Sequence, residues 1–167
     1  AEMLESSQAL NANSPQQASA LWREAFAKYE KALLLRPNDW RALTSWGTAI
    51  SSQAAKTNTV KDGIYLYREA IDKFDRALKL LPTPHFHTLY NAANARLKLA
   101  RLLLDELKSV RTVVADKADR VHRECSELLA ISITRFQESL QIEGTNVNAM
   151  HNLAVALATQ ARICGQD

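Results

Sequence analysis

Histidines, cysteines and carboxylates are the side chains of this 167-residue sequence that could bind a metal or move a proton, and there are four His and two Cys. His122 and Cys125 are three residues apart, which puts both on one face of a helix and makes half of a zinc site. Structural zinc needs four ligands, and no second pair stands at matching spacing, so an exposed His and a semi-buried Cys are expected there. His85 and His87 flank Phe86 just after Pro82 and Pro84, where the chain is set to begin a helix. They read as a helix start and one groove-lining side chain. No glycine-rich phosphate loop, His-Glu-x-x-His, paired Cys-x-x-Cys or nucleophile elbow occurs. The expectation is therefore a protein with no catalytic residue, no metal and no cofactor, and not an enzyme. Cys125 and Cys164 lie far apart inside helical patterns, which implies buried thiols in a reducing compartment, the cytoplasm.

The elements that carry these residues are helices. Ala (26) and Leu (23) make up nearly a third of the chain, while Gly and Pro number only four each. Such a composition favours helix and excludes collagen, a disordered tail and a turn-rich sandwich. With 47% apolar residues, the chain can build one ordinary core. Lys and Arg exceed Asp and Glu by only three, and the two signs alternate (Arg23, Glu24, Lys28, Glu30, Lys31). That is a solvated helix surface and not a nucleic-acid stripe. Charges interrupt every apolar run before it could span a membrane, and neither terminus has the pattern of a signal peptide. Both ends read as cut points in a longer protein.

Two segments repeat. Residues 23–37 place Ala25, Tyr29, Ala32 and Pro37 where residues 68–82 place Ala70, Phe74, Ala77 and Pro82. Steps of four and three put the small, ring and small side chains on one helical face, and Pro stops the helix. A third copy has Ser132, Phe136, Ser139 and Gly144 in the same places. After each stop comes a helix of a second kind, with a small residue at its middle: Trp46-Gly47, Ala92-Ala93, Leu153-Ala154. A mid-helix Gly costs ~1 kcal/mol against Ala, so Gly47 predicts a helix packed close against it. Trp22 and Trp46 fall on packing faces, and Trp40 follows the Pro37 turn.

This alternation resembles the tetratricopeptide repeat (TPR), through roughly Ala18 to Ile163. It departs from the family in period: the copies are 45 and 62 residues apart (Ala25 to Ala70, Ala70 to Ser132) instead of 34. The first excess falls in residues 51–63, between two helices. The second falls almost wholly between Arg96 and Ser132, where an unbroken apolar stripe predicts two lengthened helices reversing in residues 114–119, with Asp116 or Asp119 as cap. At 1.5 Å per residue, that hairpin would project roughly 20 Å beyond the stack.

Seven helices are predicted, near 2–11, 18–35, 39–56, 63–81, 86–115, 118–142 and 146–163. The chain divides into a partial first repeat (1–37), a second repeat (38–82), a third with the long hairpin (83–144) and a capping helix (145–167). That cap is expected to turn Met150, Leu153, Ala154, Leu157 and Ala161 inward. The resemblance implies an all-α fold, a right-handed superhelix of antiparallel hairpins, with the first helix of each pair lining a concave groove. The residues expected on that groove are Arg41, Thr44, Ser45 and Thr48, then His87, Tyr90, Asn91, Asn94 and Lys98, then His151 and Asn152. Asn can bond an extended peptide through both donor and acceptor. Some relatives of this kind clamp carboxylates with Lys and Asn, but Tyr90 and His151 stand where those Lys would fall. The expected function is a scaffold or adaptor that binds a peptide or partner protein through the groove, the long hairpin or both. The alternatives are a self-associating structural subunit, and a regulatory domain of an enzyme whose catalytic part lies elsewhere.

Overall fold

A computed structural model describes residues 15–109 and 115–165. Among them are six helices and no strand: α1 (Pro15–Leu35), α2 (Trp40–Ala54), α3 (Val60–Leu80), α4 (Phe86–Ser109), α5 (Ala115–Ile142) and α6 (Val147–Cys164). The helix expected at 2–11 lies outside the described residues.

Local chemistry explains most boundaries. α1 is already helical at Pro15, three residues before the expected start. Asp39 caps α2, its Oδ1 accepting from the backbone N–H groups of Arg41 (3.0 Å) and Ala42 (3.3 Å). Thr59 caps α3: its Oγ1 accepts from Asp62 N–H (3.1 Å) and donates to Asp62 Oδ2 (2.6 Å). This cap pulls the start of α3 back to Val60 and encloses Gly63, so residues 51–63 are mostly helix, with only 55–59 left as a connection. Asn146 caps α6 by accepting from Ala149 N–H at 3.1 Å. α5 is already helical at Ala115, so Asp116 sits in its first turn and Asp119 a turn deeper; neither is the cap expected from the sequence.

Short connections force successive helices to run antiparallel. Each helix packs on its neighbours in the chain, and α2, α4 and α6 also meet side by side. The repeat reappears as burial. The buried residues of α3 are Gly63, Tyr67, Ala70, Phe74 and Ala77, and those of α5 are Cys125, Leu129, Ser132, Phe136 and Ser139, in the same 4-3-4-3 steps. On α1 the same register buries Trp22, Ala25 and Tyr29. Ser in place of Ala is not merely small: buried Ser132 donates to the Ala93 carbonyl at 2.8 Å, which holds α5 against α4.

Gly47 is where the sequence asked for a close approach. A Cβ there would stand 2.9 Å from Phe74 Cε1, so the ring of α3 occupies the space that a side chain on α2 would need. Along the long hairpin, burial continues through Leu103 on α4. α3 reaches high enough for Leu102 Cδ1 to lie 3.1 Å from the Cβ position of Gly63. Among the described residues, α4 runs about 9 Å past its last buried residue, from Leu103 to Ser109. On α5 the first buried residue is Cys125, ten residues or about 15 Å from Ala115, and the tip of the hairpin at 110–114 lies outside the described residues.

Two further expectations fail. Cys164 is exposed, and only Cys125 is buried. α6 buries Ala149, Ala156, Thr159 and Ile163, while Met150, Ala154, Leu157 and Ala161 face outward and Leu153 is half-buried. The helix is apolar on most of its circumference, and the face chosen is the one α5 can reach.

Candidate functional site

Thr44, Thr48, Asn91, Asn94 and Lys98 are positioned by the N-caps and steric register that fix α2 and α4 side by side. The two helices are stitched by polar side chains. The hydroxyls of Thr44 and Thr88 share a hydrogen bond (3.1 Å), and Asn91 Nδ2 donates to Thr48 Oγ1 (3.1 Å). α4 and α6 are joined the same way, by Asn152 Nδ2 donating to the Tyr90 hydroxyl at 3.1 Å. Several residues expected to meet a partner therefore spend their hydrogen bonds between helices. Thr44 is buried in that seam and is not a groove-surface residue.

Between α2 and α4 a cleft of about 250 Å³ stays open. Its polar rim is Thr48, Ser51, Ser52, Asn91, Asn94 and Lys98, over a floor that includes Tyr67, Phe74 and Ala95. Ser51 Oγ is buried without a hydrogen-bond partner, and Lys98 forms no ion pair among the described residues. Burial raises the Tyr67 hydroxyl above its ordinary pKa, so it stays protonated. A second cleft of about 370 Å³ shares Ala55, Tyr67 and Lys98 with the first and adds Arg101 and Asp105. Ser51 and Arg101 were not singled out from the sequence, although each follows a named residue by three positions, Thr48 and Lys98, and so shares its helical face.

The other expected residues lie apart from the clefts. Arg41 is exposed with its guanidinium 4.6 Å from the Trp40 ring centroid. Trp40 meets His85 at 5.0 Å between centroids, and His85 meets the exposed His87 at 5.7 Å. His85 Nδ1 is 3.1 Å from Thr88 Oγ1. Burial first, then His87 and Arg41, lower the His85 pKa against an opposing pull from Glu143, so this ring is neutral at pH 7. Ser45 is half-buried and His151 exposed, and neither lines a cleft.

The clefts offer ammonium, guanidinium, amide and hydroxyl donors but no activated nucleophile. The buried Cys125 thiol is pushed up to about 12 by desolvation and by Glu124, and its Sγ–H points at the Ala100 carbonyl (3.5 Å). Half-buried His122 is not joined by a metal-binding group: among the described residues no three His, Cys, Asp or Glu gather. No described helix is long and apolar enough to cross a membrane. No family model and no curated protein matches the chain.

Proposed function

We propose that the chain is a TPR-like interaction module, a scaffold or adaptor without catalysis of its own, whose stacked hairpins present the face formed by α2, α4 and α6 to an extended peptide. The fold part of this reading is supported by the shared 4-3-4-3 burial of α3 and α5 at an offset of 62 residues. The observation that carries the binding part is the cleft between α2 and α4. It pairs an apolar floor with Lys98 and with Ser51 Oγ, a buried hydroxyl that has no partner among the described residues. An unsatisfied buried polar atom costs about 1–3 kcal/mol, and a peptide carbonyl or amide entering the cleft removes that cost. The free cation selects for acidic character in the peptide.

Display selection of a random peptide library tests this. The unaltered chain should enrich a family of acidic sequences, and K98E combined with N94A should lose at least tenfold in affinity for them while its far-UV circular dichroism stays unchanged. Equal binding by the variant would remove the cleft from the site.

A further inference from the structure

The groove leaves the outward face of α6 unexplained. Met150 is 46% exposed and Leu157 is 48%, with exposed Ala154 and Ala161 completing a stripe at helical spacing. Val147, at 74%, extends it toward the start of the helix. Between Ser139 and Ala161 the only charged residue is Glu143, in a chain that is 23% charged. A solvated helix face carries charges, and this one is built as an interface. The equivalent stretch of α4 behaves as one. By the repeat's shift of 61 residues, Ala154 and Ala161 correspond to Ala93 and Ala100, which are fully buried and whose carbonyls α5 bonds.

The order of side chains says what fits. Reading along α6, the stripe runs large, small, large, small: Met150, Ala154, Leu157, Ala161. Reversed, it runs small, large, small, large. Two such helices laid antiparallel about a two-fold axis between residues 155 and 156 set Met150 opposite Ala161, and Ala154 opposite Leu157. Val147 then meets exposed Cys164. Each contact pairs a bulky chain with a small one, which is how ridges enter grooves at close interhelical distance. The only charged residue of α6 is Arg162, and the axis places it opposite Ala149, so no like charges face each other. We infer that α6 is a homodimerisation helix, packing antiparallel against α6 of a second copy of this chain. The contact is isologous, the commonest symmetry of oligomers. A seam of 18 residues is about 27 Å long. That length puts the buried area at the small end of specific interfaces, so the dimer is a weak, reversible one.

Sedimentation equilibrium of the full chain across a concentration series reads this directly. The weight-average mass should rise from 18.6 kDa toward twice that value. L157E should hold the mass at the monomer value with an unchanged helical signal, since Leu157 is half-exposed in the monomer. A154L sets two leucines opposite each other and L157A sets two alanines. Each should weaken the dimer at least tenfold, and A154L combined with L157A, which restores one large and one small residue at each contact, should recover it. V147C should form a disulfide to Cys164 of the second copy under mild oxidation faster than the parent chain crosslinks through Cys164 alone. A mass that stays monomeric at every concentration overturns the inference. So does a dimer that L157E leaves intact, or a double variant no stronger than either single one. None of these variants touches the cleft between α2 and α4, so peptide binding and dimerisation can fail separately.

Discussion

Replacing Gly47 by Ala tests the packing on which the hairpin arrangement depends. In an unpacked helix the change is favourable by about 1 kcal/mol, because Ala gives up less backbone freedom. Here the added methyl meets three atoms of the Phe74 ring at 2.9–3.0 Å. Ordinary contact needs about half an ångström more, and Phe74 is fully buried between α2 and its neighbours, so the ring has nowhere to go. Overpacking of this kind costs roughly 1–3 kcal/mol, leaving G47A neutral to about 2 kcal/mol less stable than the parent. Gly63 provides the control in the same fold. Its added Cβ would meet only the far end of Leu102, Cδ1 at 3.1 Å, and Thr57 Cγ2 at 3.5 Å. Leu102 can yield by a few tenths of an ångström, so G63A keeps most of its helical gain. Thermal unfolding followed by circular dichroism should separate the two variants by about 1–3 kcal/mol, or about 2–4 °C in Tm for each kcal/mol, with G47A the lower. A G47A variant as stable as G63A would refute the close approach of α2 and α3.

Other outcomes follow from buried polar groups. Buried Arg96 bonds Asp75 and the Ala92 carbonyl (3.1 Å), whereas the Asp75 side chain is 43% exposed; D75A strands a buried guanidinium and should cost about 3–5 kcal/mol in urea unfolding. R96M keeps the packing volume and frees a carboxylate that water can reach, so it should cost about 1 kcal/mol; equal losses would mean that the pair is not buried asymmetrically. A thiol reagent at pH 8 should label Cys164 in the folded protein and spare Cys125, whose pKa is raised to about 12, with a second equivalent reacting only in denaturant. Two fast thiols in the folded protein would contradict the burial of Cys125.

The six helices were legible because their signals are local. Ala and Leu content, the small–ring–small steps and the Pro and Gly stops each act within a few residues, and a helical face needs no distant information. The same locality explains the boundary errors. The Thr59–Asp62 cap moved the start of α3 by three residues, since a cap competes with the apolar periodicity used to place the end. Of the candidate groove, Thr48, Asn91, Asn94 and Lys98 do converge on one cleft. Arg41 and His87 do not line it, because they stand nearer the starts of their helices than the cleft reaches, and His151 does not because α6 contributes no residue to its wall.

What the sequence could not determine is which polar residues would be consumed by the fold. Thr44 with Thr88, Thr48 with Asn91 and Tyr90 with Asn152 are separated by 43 to 62 positions, and nothing local distinguishes a side chain that bonds a neighbouring helix from one that waits for a ligand. The direction of α6 was undetermined for a related reason. Its apolar residues cover more than half of the helix, so hydrophobicity permits either Ala149, Ala156 and Ile163 or Met150, Leu157 and Ala161 to turn inward. Periodicity fixes a face only where polar residues exclude the others. On α6 they do not, and the choice passes to the shape of α5.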